Sequence, residues 1–207
     1  MKQLYPVVAF ALAATARADI SVYNNEADFL ADAPIVDTIT FDDVPDMQVL
    51  LSVEIDNIRF VTRGNWQVPG FCSLERSIGA STIDRRNITF RAPGNTSGSV
   101  MAVGFNLITF AIQPPADYAV AITTADGVVT KKPIADVVNA TPAFKGFIST
   151  SPIVRVTLDA VGVSQTNFCL DDISRSEILP VVTSRPGGAT EEVDELDQLD
   201  DTLTTDE

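Results

Sequence analysis

Between Ile35 and Ile173 the chain repeats short runs of apolar and β-branched residues, each closed by Gly, Pro, Asn, Asp or Ser. Many of these runs alternate apolar with polar positions. Successive side chains on an extended backbone point to opposite faces, so alternation marks a strand with one face buried. Ile35–Phe41, Asn87–Phe90, Tyr118–Thr123, Phe144–Ile148, Ile153–Leu158 and Phe168–Ile173 read as such strands. Val53–Val61 alternates, then changes phase at Asp56-Asn57, as at a turn or bulge. Ser99–Phe110 is mainly apolar, which suits a strand covered on both faces. Asp126-Gly127, between Tyr118–Thr123 and Val128–Thr130, is a strong hairpin signal. Arg63–Gly70 and Ala92–Ser99 read as loops, and Arg85-Arg86 as a solvated turn.

Helical periodicity is sparse. Asn25–Ala31 has potential for one or two turns, capped at Asn24 or Asn25. No helix of crossover length separates the strands, so a βαβ arrangement is excluded. The pattern predicts an all-β fold, an antiparallel β-sandwich of jelly-roll type with one short N-terminal helix.

The ends differ from this pattern. Lys2 precedes an apolar run, Leu4–Ala14, broken only by Pro6, and Ala16-Arg17-Ala18 follows with small residues where a signal peptidase reads. Residues 1–18 therefore read as a secretory signal peptide, cleaved before Asp19. The run is shorter than the about 20 residues that a spanning helix needs. Residues 19–177 form the expected β-sandwich domain. Residues 178–190, with Pro180, Pro186 and paired glycines, read as a linker. Residues 191–207 are densely acidic, and self-repulsion and the lack of aromatics predict disorder.

Composition narrows the function. The formal net charge of −14 argues against nucleic acid and anionic membranes as partners, and is compatible with cations. No later apolar stretch reaches membrane length. The expected location is extracellular, where the even cysteine count suggests a Cys72–Cys169 bridge. Asn87-Ile88-Thr89, Asn95-Thr96-Ser97 and Asn139-Ala140-Thr141 are glycosylation sequons there. The chain has no histidine, which removes Ser-His-Asp, Cys-His and His-ligated metal chemistry. Only a carboxylate pair could act on glycosides, and nothing separates such a pair from surface aspartates; the expectation is a non-enzymatic protein. Trp66, the single tryptophan, could stack on a sugar with Arg63, Asn65 and Gln67 bonding its hydroxyls, or could be a packing residue.

The order of the pieces also carries a resemblance. Phe29-Leu30 precedes Ile39-Thr40-Phe41-Asp42-Asp43. Ile58-Arg59-Phe60, Val103-Gly104-Phe105, Phe144-Lys145-Gly146-Phe147 and Ser151-Pro152-Ile153 follow, and Leu170-Asp171-Asp172-Ile173 closes the series. This resembles the secreted β-sandwich of bacterial proteins with a PEP-type C-terminal sorting signal, and is similar to carbohydrate-binding-module jelly rolls. Acidic residues stand here where that sorting signal would lie. The resemblance implies a structural calcium held by terminal acids: Asp42 and Asp172 first, with Asp43 and Asp171 as alternates. It also implies carbohydrate or an extracellular matrix component as partner. The alternative is a structural or mineral-associated matrix protein whose acidic tail binds cations.

Overall fold

A computed structural model describes residues 18–181, except 36, 69–76, 82–85, 95, 112–116, 135–140 and 162–165. The signal-peptide and acidic-tail expectations, Cys72, Asn95 and Asn139 lie outside the described residues.

The alternating runs become strands. In chain order they are β1 (Ile20–Tyr23), β2 (Asp37–Ile39), β3 (Met47–Ile55), β4 (Ile58–Val68), β5 (Ile78–Ser81) and β6 (Arg86–Ala92). Then come β7 (Thr96–Ala111), β8 (Asp117–Thr124), β9 (Val129–Ile134), β10 (Ala143–Val161), β11 (Thr166–Arg175) and β12 (Leu179–Pro180). Helix α1 (Glu26–Asp32) lies between β1 and β2. Its N-cap is Asn25, whose side chain accepts the Asp28 N–H at 3.1 Å.

Every pairing is antiparallel. The strands form an antiparallel β-sandwich whose two layers share their longest strand. In one layer β1 pairs the first half of β10, which pairs β7, which pairs β11; β2 and β5 pair different stretches of β11. In the other layer the order is β3-β4-β6-β10-β8-β9, using the second half of β10. β10 passes between layers where its register shifts, between Ile153 and Arg155. A bulge of this kind bends a strand and increases its twist. β5 pairs both β4 and β11, and so links the layers a second time.

The core lies between the layers. Ile58, Phe60, Ile88, Phe90, Phe105, Leu107, Val120, Ile122, Val156 and Leu170 are buried there. Burying each such side chain contributes about 1.5–3 kcal/mol. A second apolar cluster lies on the outer side of the first layer, where Phe29 of α1 packs with Ala102 and Phe144. Gly104 and Gly146 are direct cross-strand partners beneath it. Their missing side chains leave the space that the Phe29 ring occupies. Tyr23 donates its hydroxyl to Asp32 at 2.9 Å, tying β1 to the helix end, and this bond raises the tyrosine pKa.

The turns follow their residue types. Asp56 and Asn57 join β3 to β4 with φ of 48° and 63°, the positive-φ pair that a tight hairpin prefers. Gly127 joins β8 to β9 with φ of 79°. Thr124 donates its hydroxyl to Asp126 in the same turn and holds that carboxyl below its ordinary pKa.

Four expectations need correction. Ala92–Ser99 is not a loop throughout: Ala92 closes β6 and opposes Thr96, which opens β7, and Ser97 and Gly98 pair Arg91 and Phe90. Of the stretch read as a loop, Arg63 to Val68 is strand: β4 runs unbroken to Val68, paired with both β3 and β5. Arg86 is not in a solvated turn. It opens β6 on the core-facing side and is 1% exposed, with its bonding satisfied in part by neighbours. The domain does not end at Glu177, because Leu179 and Pro180 pair Ser99 and Gly98 of β7 and the Val181 N–H bonds Ser97 O at 3.0 Å. Pro180 fits because, among the described residues, β12 pairs on one side only, so its missing N–H is not needed there.

Candidate functional site

The outer face of the β3-β4-β6-β10-β8-β9 layer gathers polar side chains from distant parts of the chain. Alternation decides which residues reach it. On β6, Arg86, Ile88, Phe90 and Ala92 are buried, so Asn87, Thr89 and Arg91 turn outward and are half-buried. On β4, Ile58, Phe60 and Thr62 are buried and Arg59 and Val61 turn outward. Past its bulge, β10 buries Val156 and Leu158 and presents Arg155 and Thr157.

Register then sets two rows. In the first, Glu54 faces Arg59, Arg59 faces Thr89, Thr89 faces Arg155, and Arg155 faces Thr123. In the second, Ser52 faces Val61, Val61 faces Asn87, Asn87 faces Thr157, Thr157 faces Ala121, and Ala121 faces Lys131. Directly opposed side chains on one face lie about 5 Å apart at Cβ. The Thr157 hydroxyl donates to Asn87 Oδ1 at 2.7 Å, which fixes the amide on the sheet. Arg155 is half-buried and has no ion pair or side-chain hydrogen bond with a described residue. The face therefore offers hydroxyls, an amide and guanidinium groups on rigid strands.

The residues singled out from sequence fare differently. Trp66 is 1% exposed, and its ring packs edge-on against Phe60 at 5.5 Å between centroids. It is a core residue on β4, not a platform for a sugar ring. Its Nε1 is buried without a hydrogen-bond partner among the described residues. Gln67 on the same strand is half-buried, and Arg63 and Asn65 also belong to β4. Trp66 therefore does not join them in a binding set.

The acidic pairs do share one region. β2 pairs β11 with Ile39 opposite Ile173, so Asp42-Asp43 follow where Asp171-Asp172 precede. Asp42 and Asp43 are exposed, while Asp171 is buried. Asp172 sits in an irregularity of β11 at φ 47° and accepts Asn106 Nδ2 at 3.1 Å. Asp171 Oδ1 accepts the Asp172 N–H at 3.0 Å. Among the described residues, no three carboxylate or cysteine side chains are grouped to hold a metal ion. Hydrogen bonds from Asn106 and the backbone offset part of the repulsion among these acids.

Cys169 is fully buried beside Ile108 and is disulfide-bonded. Asn87, the described sequon asparagine, lies in mid-sheet and not in a loop. Among the described residues no helix is long and apolar enough to cross a membrane.

Sequence reasoning passed over Arg59, Thr89, Arg91, Arg155 and Thr157. Their shared signal was present: each is the polar member of an alternating run. Which runs become neighbours is not written in any one of them.

No protein-family model matches the chain, and no curated protein matches it. Among solved structures it is similar to the family 11 carbohydrate-binding module of cellulosomal cellulase Lic26A-Cel5E of Clostridium thermocellum. The identity is 12%, the TM-score is 0.29, and the match covers 68% of this chain and 95% of that one.

Proposed function

We propose that this protein is a secreted, non-catalytic, carbohydrate-binding β-sandwich acting at the cell surface or in the extracellular matrix. The observation that carries the reading is the outer face built by Asn87, Thr89, Thr123, Arg155 and Thr157. Sugar hydroxyls need donors and acceptors in fixed positions. Side chains rooted in paired strands lose little freedom on binding, and pre-organisation of this kind favours affinity. The absence of histidine supports the non-catalytic part.

Export is supported by where the sheet begins. Asp19, the first residue after the expected cleavage site, exchanges bonds with Thr150: its N–H donates to Thr150 Oγ1 and its carbonyl accepts the Thr150 N–H, each at 3.0 Å. The described sheet pairing thus begins just past the expected cleavage site. Cys72 is the proposed partner of Cys169. The intact mass of exported protein should start at Asp19, and alkylation without reduction should add nothing.

A glycan array on Asp19–Glu207, with and without calcium, tests the reading. Binding that weakens in Thr157→Val supports it. An array with no bound glycan, alongside cation binding lost on deleting residues 191–207, would put the matrix-protein alternative in its place.

A further inference from the structure

We propose that the sugar bound on this face is anionic, a polysaccharide carrying carboxylate or sulfate groups; the inference rests on the carbohydrate-binding reading. The chain has 28 acidic and 14 basic residues, so a basic surface needs an explanation. Among the described basic residues, Lys132 lies on the other side of β9, opposite Val120. Arg86 and Lys145 are buried. Arg175 is held by Asp37 at 2.8 Å. Arg59, Arg91, Arg155 and Lys131 all belong to the outer face described above.

Three of these surround one residue. Arg59 and Arg155 are the direct partners of Thr89 on either side, and Arg91 is two positions along β6 from it. Diagonal neighbours on a sheet face lie about 7–8 Å apart, so the three side chains can reach one group above Thr89. Glu54, opposite Arg59, offsets part of their charge, and an anion seated over Thr89 would meet the rest. Arg155 is the member with no ion pair or side-chain hydrogen bond among the described residues, and its guanidinium fork fits a carboxylate or sulfate. Asn87 strengthens the bias. Its carbonyl accepts the Thr157 hydroxyl, and its amide N–H groups add donors to the face. The face is thus rich in donors, as an anionic group requires, while Thr123 and Thr157 suit hydroxyls.

The test is affinity electrophoresis and calorimetry on the exported protein with polygalacturonate, dextran sulfate and neutral dextran. We expect an acidic polymer to bind, to weaken with added salt, and to outcompete dextran; polygalacturonate against dextran sulfate identifies the anionic group. Arg155→Gln should weaken binding about tenfold, the order expected for one charged hydrogen bond. Arg155→Lys, which keeps the charge, should lose less. Lys132→Gln, the same charge change on the other side of β9, should lose nothing. Neutral dextran bound equally by wild type and Arg155→Gln would overturn the inference and leave carbohydrate binding standing. Failure of every polysaccharide would sink both. Equal affinity for polyuridylate would show indiscriminate polyanion binding and overturn the inference. A glycan found on Asn87 by peptide mapping would cover the face and also overturn it.

Discussion

Adding one methyl group at Gly146 should destabilise the domain through a helix that is distant in sequence. A Cβ there would stand 2.6 Å from Phe29 Cδ2, 2.8 Å from Phe29 Cγ and 2.9 Å from Phe144 Cε1. Carbon atoms pack best at about 3.5–4.0 Å, so the rings must retreat by close to 1 Å. Retreat is restricted. Phe29 is 0% exposed and is flanked by Tyr23 and Phe144, with ring centroids 5.8 and 5.4 Å away. Its helix is further tied by the Asn25 cap and the Tyr23–Asp32 bond. Overpacking of this kind costs about 1–3 kcal/mol. Gly146 does not have positive φ, so alanine also gains about 0.4–1 kcal/mol by restricting the unfolded chain. The net loss is about 1–2 kcal/mol, or a midpoint lower by about 2–8 °C for a domain of this size. Phe29→Ala should cost more, about 3–5 kcal/mol. In Phe29→Leu the added methyl should be tolerated better, giving a double-mutant coupling of about 0.5–3 kcal/mol. Thermal unfolding followed by circular dichroism reads all of these. An unchanged or higher midpoint for Gly146→Ala would show that α1 shifts freely over the sheet, and the packing argument would fail.

Three further outcomes are expected. Asp126 should titrate below the ordinary aspartate range by carboxyl-carbon NMR, and Thr124→Val should move it upward. Because the folded pKa is depressed, the stability tied to it is present above the unfolded value and lost as pH falls through the folded one; the group is exposed, so that contribution is small. Cutting after Val181 should leave the midpoint unmoved, whereas cutting after Glu177 should lower it, since Ile178 packs on the core and β12 pairs β7; equal midpoints would mean that β12 contributes nothing. Chelator should leave the midpoint unchanged, because Asp172 is already bonded to Asn106 and no three metal-ligating side chains group among the described residues; a calcium-dependent rise lost in Asp172→Asn would restore the cation site.

The sequence by itself determined what depends on near neighbours. Alternation specified that β4 and β6 each have one apolar face, because side chains on an extended chain must take opposite sides. The Asn25 cap, the Asp56-Asn57 turn and the Asp126-Gly127 hairpin were legible for the same reason: a few adjacent residues settle their own backbone. Tertiary structure decided everything that depends on which strands meet. Trp66 reads as a loop residue beside Arg63, Gly64 and Asn65, but pairing of β4 with β3 and β5 carries its ring into the core. Arg86 reads as solvated beside Arg85, yet the inward phase of β6 buries it. Gly104 and Gly146 read as isolated weak points, and only the β7–β10 register makes them one seat for Phe29. The polar face was the least legible feature of all. Arg59, Thr89 and Arg155 come from three strands spread over much of the chain, and only the β4-β6-β10 ladders align them in one row. Local sequence carries the periodicity of each strand, whereas the order of strands is chosen by burying all their apolar faces together, a property of the whole chain.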